Sequence, residues 1–290
     1  MIEYEGRVFR PPSEAYSLIV QVTIGCSHNR CTFCDMYKEK QFRVRPLDEI
    51  QRDLDEGRRL YRRVERIFLA DGDALMCRTE HMAAILRYIR QLFPECQRVT
   101  SYGSPGSILV KTQQELDLLH ELGLEMIYLG VESGSDEVLR RVNKGETAAE
   151  ILHAGLMVKQ AGMKLSVTAI AGLGSLELSE EHAIETAAIL SRMKPDYIGL
   201  LTLLFELETP LMRDWREGRF HLMEPIEIAQ ETLVLLEHID AEGSVFRANH
   251  ASNYVDLRGT LNRDRAAMCQ KLRRALDGTI GFKSEAFRAR

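Results

Sequence analysis

Along the first two thirds of the chain, short runs of apolar and β-branched residues alternate with longer segments whose apolar residues recur every three or four positions. The short runs have strand character and the longer ones the character of amphipathic helices. The pattern predicts strands over 18–24, 66–70, 98–102, 126–131, 164–170 and 196–203, and helices over 47–61, 80–93, 112–122, 148–161 and 180–193. Gly123 and Gly162 stand where two of these helices should stop. Strands separated by one helix become parallel neighbours, because only a crossover of that length returns the chain to the same edge. Six such units fit an open or closed barrel, whose chemistry sits in loops after the C-terminal ends of the strands. After Leu204 the alternation ends. A turn at 208–210, helices over 211–217, 225–239 and 264–276, and an extended piece over 245–248 follow, with no repeat or linker that marks a second domain.

Composition narrows the class. The hydrophobic fraction of 45% and charged fraction of 28% are those of a soluble globular protein. No apolar run approaches the roughly 20 residues that cross a bilayer. The opening MIEYEGRVFRPPSEAYS mixes both charges without an apolar stretch, so it does not read as a signal peptide, and a cytoplasmic protein is expected. A net charge of −5 offers no field for phosphate backbones, and the arginines between 52 and 66 read as a solvated helix face. In a reducing compartment the six cysteines serve metals, catalysis or cores rather than disulfides.

Their spacing then matters. Cys26, Cys31 and Cys34 fall within nine residues, in the loop that follows the first predicted strand. Thiolates are soft ligands suited to iron–sulfur clusters or zinc. Three ligands leave one iron of a four-iron cubane open to a small molecule, whereas a structural zinc site wants a fourth ligand, for which His28 is available. Cys77, Cys96 and Cys269 are scattered and read as buried free thiols.

The cysteine loop resembles the cluster motif of the radical S-adenosylmethionine (SAM) superfamily, with Phe33 in the aromatic position before the last cysteine. Four residues, one more than in the commonest pattern, separate Cys26 from Cys31. The resemblance implies a [4Fe-4S] cluster on Cys26, Cys31 and Cys34 that binds SAM. Residues 70–75 look like the glycine-rich motif that meets the SAM amino group, which assigns Gly72 and Asp73 to the cofactor. Residues 128–136 and 139–145 resemble a segment shared by methylthiotransferases, oxygen-independent coproporphyrinogen oxidases and the Elongator catalytic subunit. This likeness makes Glu132, with Ser133 beside it, the polar strand end that holds SAM, and Arg140 or Arg141 the guanidinium that pairs with the methionyl carboxylate. The plainer alternative has Glu132 capping the next helix and both arginines solvated. Residues 169–175 resemble the adenine-contacting glycine segment, which lays Ile170 or Leu173 against the ring. The likeness runs from about residue 17 to 218 and implies an α/β fold: a partial (β/α)6 TIM-like radical SAM barrel, with an α-rich extension over 219–290 packing at the barrel mouth.

The function implied is oxygen-sensitive radical chemistry. One electron from the cluster splits SAM, and the 5′-deoxyadenosyl radical takes hydrogen from a substrate, expected to be a small molecule. An electron donor such as flavodoxin or ferredoxin is the expected partner. Substrate-side candidates gather in 246–254, where Arg247, Asn249, His250 and Asn253 offer a carboxylate clamp, amide hydrogen bonds and an acid or base. The alternative is that they cap the final helix and satisfy loop backbone. Three other functions stay open. Lys38, Lys40, Arg43 and Arg45 after the cluster loop suggest an RNA-modifying relative, against which the acidic balance argues. The other two are a cluster-bearing carrier or chaperone without radical turnover, and a zinc-stabilised binding protein.

Overall fold

The first predicted strand is broken in two: β1 (Leu18–Gln21) and β2 (Thr23–Ile24) flank Val22. Val22 ends the pairing with the next core strand by donating to the Ala70 carbonyl, while its own carbonyl accepts from Arg45 N at 2.9 Å. The chain then turns to pair β2 antiparallel with β3 (Arg43–Val44). In this computed structural model, which describes residues 2–288, the chain forms two compact units.

The first unit comprises residues 2–29, 36–129 and 153–165. After β3 come α1 (Leu47–Leu60), β4 (Arg66–Ala70), α2 (Thr79–Leu92), β5 (Arg98–Tyr102), α3 (Pro105–Leu109), α4 (Gln113–Glu121) and most of β6 (Leu124–Glu132). β1, β4, β5 and β6 pair in that order, all parallel. α1 buries Ile50, Leu54 and Gly57 and carries Asp48 and Glu49 in its first turn and Arg58 and Arg59 in its last, the charge order its dipole favours. Thr112 and Glu115 close a capping box on α4. On one face of these strands Ile19, Phe68, Ala70, Met126 and Tyr128 form a core with Tyr102 against it; the Phe68 and Tyr102 rings meet edge to face at 5.0 Å.

The second unit comprises residues 30–35, 130–152 and 166–288. It holds the end of β6, α5 (Asp136–Arg141), the start of α6 (Ala148–Gln160), most of β7 (Lys164–Ala171), α7 (Ser179–Met193), β8 (Tyr197–Thr202), α8 (Pro210–Arg216), α9 (Pro225–His238), β9 (Val245–Ala248), β10 (Leu257–Thr260) and α10 (Arg265–Leu276). β7, β8 and β9 run parallel, and β10 returns antiparallel to β9. The C-terminal segment, α-rich through α9 and α10, also lends two strands to the sheet. Among the described residues no helix is long and apolar enough to cross a membrane.

Candidate active site

Cys26 belongs to the first unit and Cys31 and Cys34 to the second; four and two residues separate them along the chain. All three are partly exposed. The first arm of the loop is fixed by Gly25 N donating to Asp71 Oδ2 at 3.2 Å and by Asn29 Nδ2 donating to the Tyr37 carbonyl at 2.8 Å. The second arm is fixed by Thr32 N on the Val142 carbonyl at 2.9 Å, Leu211 N on the Thr32 carbonyl at 3.0 Å and Leu207 N on Asp35 Oδ2 at 3.1 Å. Phe33 is buried with Val138, Val142, Leu173, Leu203 and Leu211, and Cys31 and Cys34 pack against this group.

Soft thiol donors beside hydrocarbon suit an iron–sulfur cluster. The backbone also leaves room on the Cys26 side: a Cβ on Gly72 would stand 3.1 Å from Cys26 Cβ and 2.6 Å from the Tyr37 ring, a space only glycine leaves open. Among the described residues no three His, Cys, Asp or Glu side chains converge as a preformed ion site.

After β4, Asp71 is buried and accepts from Lys40 Nζ at 2.6 Å; burial raises its pKa, and Lys40 opposes the rise. Asp73, expected to meet SAM, is committed inward. Its carboxylate accepts from Ser104 N at 2.9 Å, from Ser104 Oγ at 2.8 Å and from Ser27 Oγ, so it ties the loops after β4 and β5 to the residue beside Cys26.

At the end of β6, Glu132 takes a left-handed φ of 63° and sets its carboxylate 3.4 Å from Lys144 Nζ, with both side chains nearly buried. Burial raises the Glu132 pKa and Lys144 pulls it back. Ser133 is fully buried and points inward. His182 on α7 reaches the Ile170 carbonyl through Nε2 at 3.1 Å, where only the nitrogen can donate, so Nδ1 accepts from Ser133 Oγ at 2.8 Å. Glu231 on α9 accepts from Gly172 N and from Ser179 Oγ, each at 2.7 Å. These two side chains splint the ends of β6 and β7 to α7 and α9. Gly134 passes α7 so closely that a Cβ there would lie 2.1 Å from the Glu185 carbonyl oxygen.

Ile170 packs at the edge of the Phe33 group and Leu173 lies inside it. Arg140 and Arg141 are not aimed into this region. Arg140 is 71% exposed and held by Glu137 at 2.7 Å, and Arg141 is shared between Glu137 and Glu177 at 2.7 Å each. Both are in surface ion pairs at helix spacing, the arrangement the alternative reading gave them.

The 246–254 segment does not cap the last helix. It contains β9 and the loop after it, and because β9 is parallel to β8 that loop leaves from the same end as the loop after β8. Arg247 is exposed, its guanidinium on the carbonyls of Phe246 (2.9 Å) and Gly259 (3.3 Å). Asn249 is exposed. His250 Nδ1 accepts from Ser252 N at 3.2 Å. Asn253, expected as a catalytic residue, is buried with its amide spent on β8: Oδ1 accepts from Thr202 Oγ1 and Nδ2 donates to the Leu200 carbonyl, each at 2.9 Å.

Sequence reasoning missed His182, Glu231 and the pairing of Lys40 with Asp71. For Glu231 a signal exists: a carboxylate in the core stripe of α9, with Ile228, Thr232 and Leu235 buried around it.

Residues 20–188, more than half of the chain, match the sequence model of the family described as the Radical SAM superfamily. A curated relative, 4'-phospho-dehydrooxetanocin synthase from Priestia megaterium, is 27% identical over 221 residues, covering 68% of this chain and 29% of that protein. Heme chaperone HemW from Bacillus subtilis (strain 168) is 19% identical over 226 residues, covering 75% of this chain and 58% of that protein. The chain thus spans less than two thirds of either relative. Among solved structures, coproporphyrinogen III oxidase (HemN) from Escherichia coli, a radical SAM enzyme, superposes with a TM-score of 0.59 at 19% identity over 76% of this chain and 52% of that one. The likeness establishes a common fold.

Proposed function

Because the chain belongs to the radical SAM superfamily, whose members bind a [4Fe-4S] cluster and SAM, we propose that it cleaves SAM reductively and abstracts hydrogen from a small molecule. The observation that carries this reading is the trio of closely spaced, partly exposed thiols on a loop pinned by hydrogen bonds in both arms. Cys26, Cys31 and Cys34 are the ligands in this reading. A bound cluster supplies the electron that breaks a carbon–sulfur bond of SAM, and a reductant such as flavodoxin or ferredoxin replaces it.

The protein's part is placement and exclusion of water. Gly72 lets backbone approach the cofactor, and Glu132 offers its carboxylate from the end of β6. Ser133 and Asp73 act one step back, through the hydrogen bonds that fix those strand ends. Ile170 and Leu173 give the adenine an apolar surface continuous with Phe33. Arg141 serves a ligand carboxylate only by giving up Glu137 or Glu177, and Arg140 lies further toward solvent. Arg247, Asn249 and His250, at or beyond the C-terminal end of β9, are the candidates for contact with substrate.

The test is anaerobic reconstitution with iron and sulfide, then dithionite and SAM, with 5′-deoxyadenosine measured for the wild type and for Cys26→Ala. Product from the wild type alone supports the reading. A second reading, a cluster-bearing carrier without radical turnover, is favoured by the similarity to a haem chaperone. It predicts a loaded cluster and haem binding, with no 5′-deoxyadenosine.

A further inference from the structure

Lys40 is only 8% exposed. Its ammonium donates to Asp71 Oδ2 and to the Arg7 carbonyl, both at 2.6 Å, and lies 5.6 Å from the centre of the Tyr37 ring. Asp71 Oδ2 also accepts from Gly25 N at 3.2 Å and Gln21 Nε2 at 3.3 Å, while Oδ1 is buried with no hydrogen-bond partner. Stability alone does not account for such a pair, since buried ion pairs commonly gain nothing over well-packed hydrophobic residues. Its position does. Asp71 holds the amide next to Cys26 on one side, and on the other it precedes Gly72, whose Cα faces Cys26 Cβ. A carboxylate there is useful as an acceptor and harmful as a charge. The ligand thiolates are already negative and reduction adds an electron, so an uncompensated anion in this poorly screened place opposes it.

We propose that Lys40 is a positioning residue of the cluster site: it cancels the charge of Asp71, so that Asp71 anchors the Cys26 arm without making the cluster harder to reduce. The inference rests on the reading of Cys26 as a cluster ligand.

The test uses the full chain, reconstituted anaerobically without SAM, with iron content and midpoint potential followed by electron paramagnetic resonance for the wild type, Lys40→Met, Asp71→Asn and the double variant. Lys40→Met should take up iron and show a lower midpoint potential, Asp71→Asn a higher one, and the double variant a value returning to the wild type. Should Lys40→Met not load, the other two decide: a raised potential in Asp71→Asn with a wild-type value in the double variant supports the proposal, and any other pattern overturns it. Equal potentials in all loaded proteins overturn the proposal alone, leaving a purely structural pair. A wild type that takes up no cluster overturns the ligand reading and this one together.

Discussion

The cysteines differ by environment more than by sequence. Cys77 is buried and its thiol is pushed up to about 11, so at mildly alkaline pH its thiolate fraction is on the order of 10⁻³. In the cluster-free protein, iodoacetamide should label Cys26, Cys31 and Cys34 well before Cys77, as read by peptide mass spectrometry; equal rates would contradict the burial that separates them. Glu132 gives a second prediction. Burial favours its neutral form, so it loses its proton at a higher pH than a free glutamate. For a raised carboxyl the contribution to folding is present at low pH and lost as pH rises through the folded value. In the proposed reading the contribution to binding runs the other way, because only the anion attracts the positive charge of SAM. SAM affinity measured by calorimetry should fall as pH drops through that raised value, and Glu132→Gln should bind about tenfold more weakly with little pH dependence. At this scale the sequence offers a pattern where chemistry repeats one, as in the spacing of Cys26, Cys31, Phe33 and Cys34. The inward bonds of Asp73 and Asn253 were unreadable, because their partners Ser104, in the loop after β5, and Thr202, at the end of β8, are distant in sequence, so that a polar residue spent inward looks the same in sequence as one offered to a ligand.

Elements were legible in proportion to their length and periodicity. β4 and β5 lie at the predicted bounds, and α4 and α6 end just before Gly123 and Gly162. α3 and α5, of five and six residues, are too short for a 3.6-residue period to declare itself, and β10 is four residues with a glycine inside. The split between β1 and β2 was hidden because it is made by backbone bonds from Ala70 and Arg45, distant in sequence. His182 is where the second unit's elements are joined. His182→Ala leaves Ser133 Oγ without its acceptor and the Ile170 carbonyl without its donor, both in buried surroundings, and should cost about 2 kcal/mol of stability by denaturant melting. Unchanged stability would mean that water replaces the imidazole. By contrast Arg140→Ala, at an exposed ion pair, should stay within about 0.5 kcal/mol and leave 5′-deoxyadenosine formation within about twofold.

For the molecule as a whole, the boundary near residue 218 read from sequence followed the point where the βα alternation stops. Pairing ignores that point, since Tyr197, Ile198 and Gly199 of β8 are matched to Val245, Phe246 and Arg247. A chain ended at 218 should therefore aggregate, with an unpaired edge beside buried Ile198 and Leu200, whereas the full chain should run as a discrete species in size-exclusion chromatography. A monodisperse, folded truncation would support the boundary. The same arrangement has a consequence for how the protein is made. Synthesis delivers the N-terminal end first, so the three thiols leave the ribosome early, while Asn253, which locks the end of β8, follows about 220 residues later. At about 5–20 residues per second that interval is roughly 10–40 s. For that time β8 lacks its last partner while the cysteine loop is already made, so if the loop holds a cluster as proposed, the order of translation favours delivery after β9 and β10 have docked.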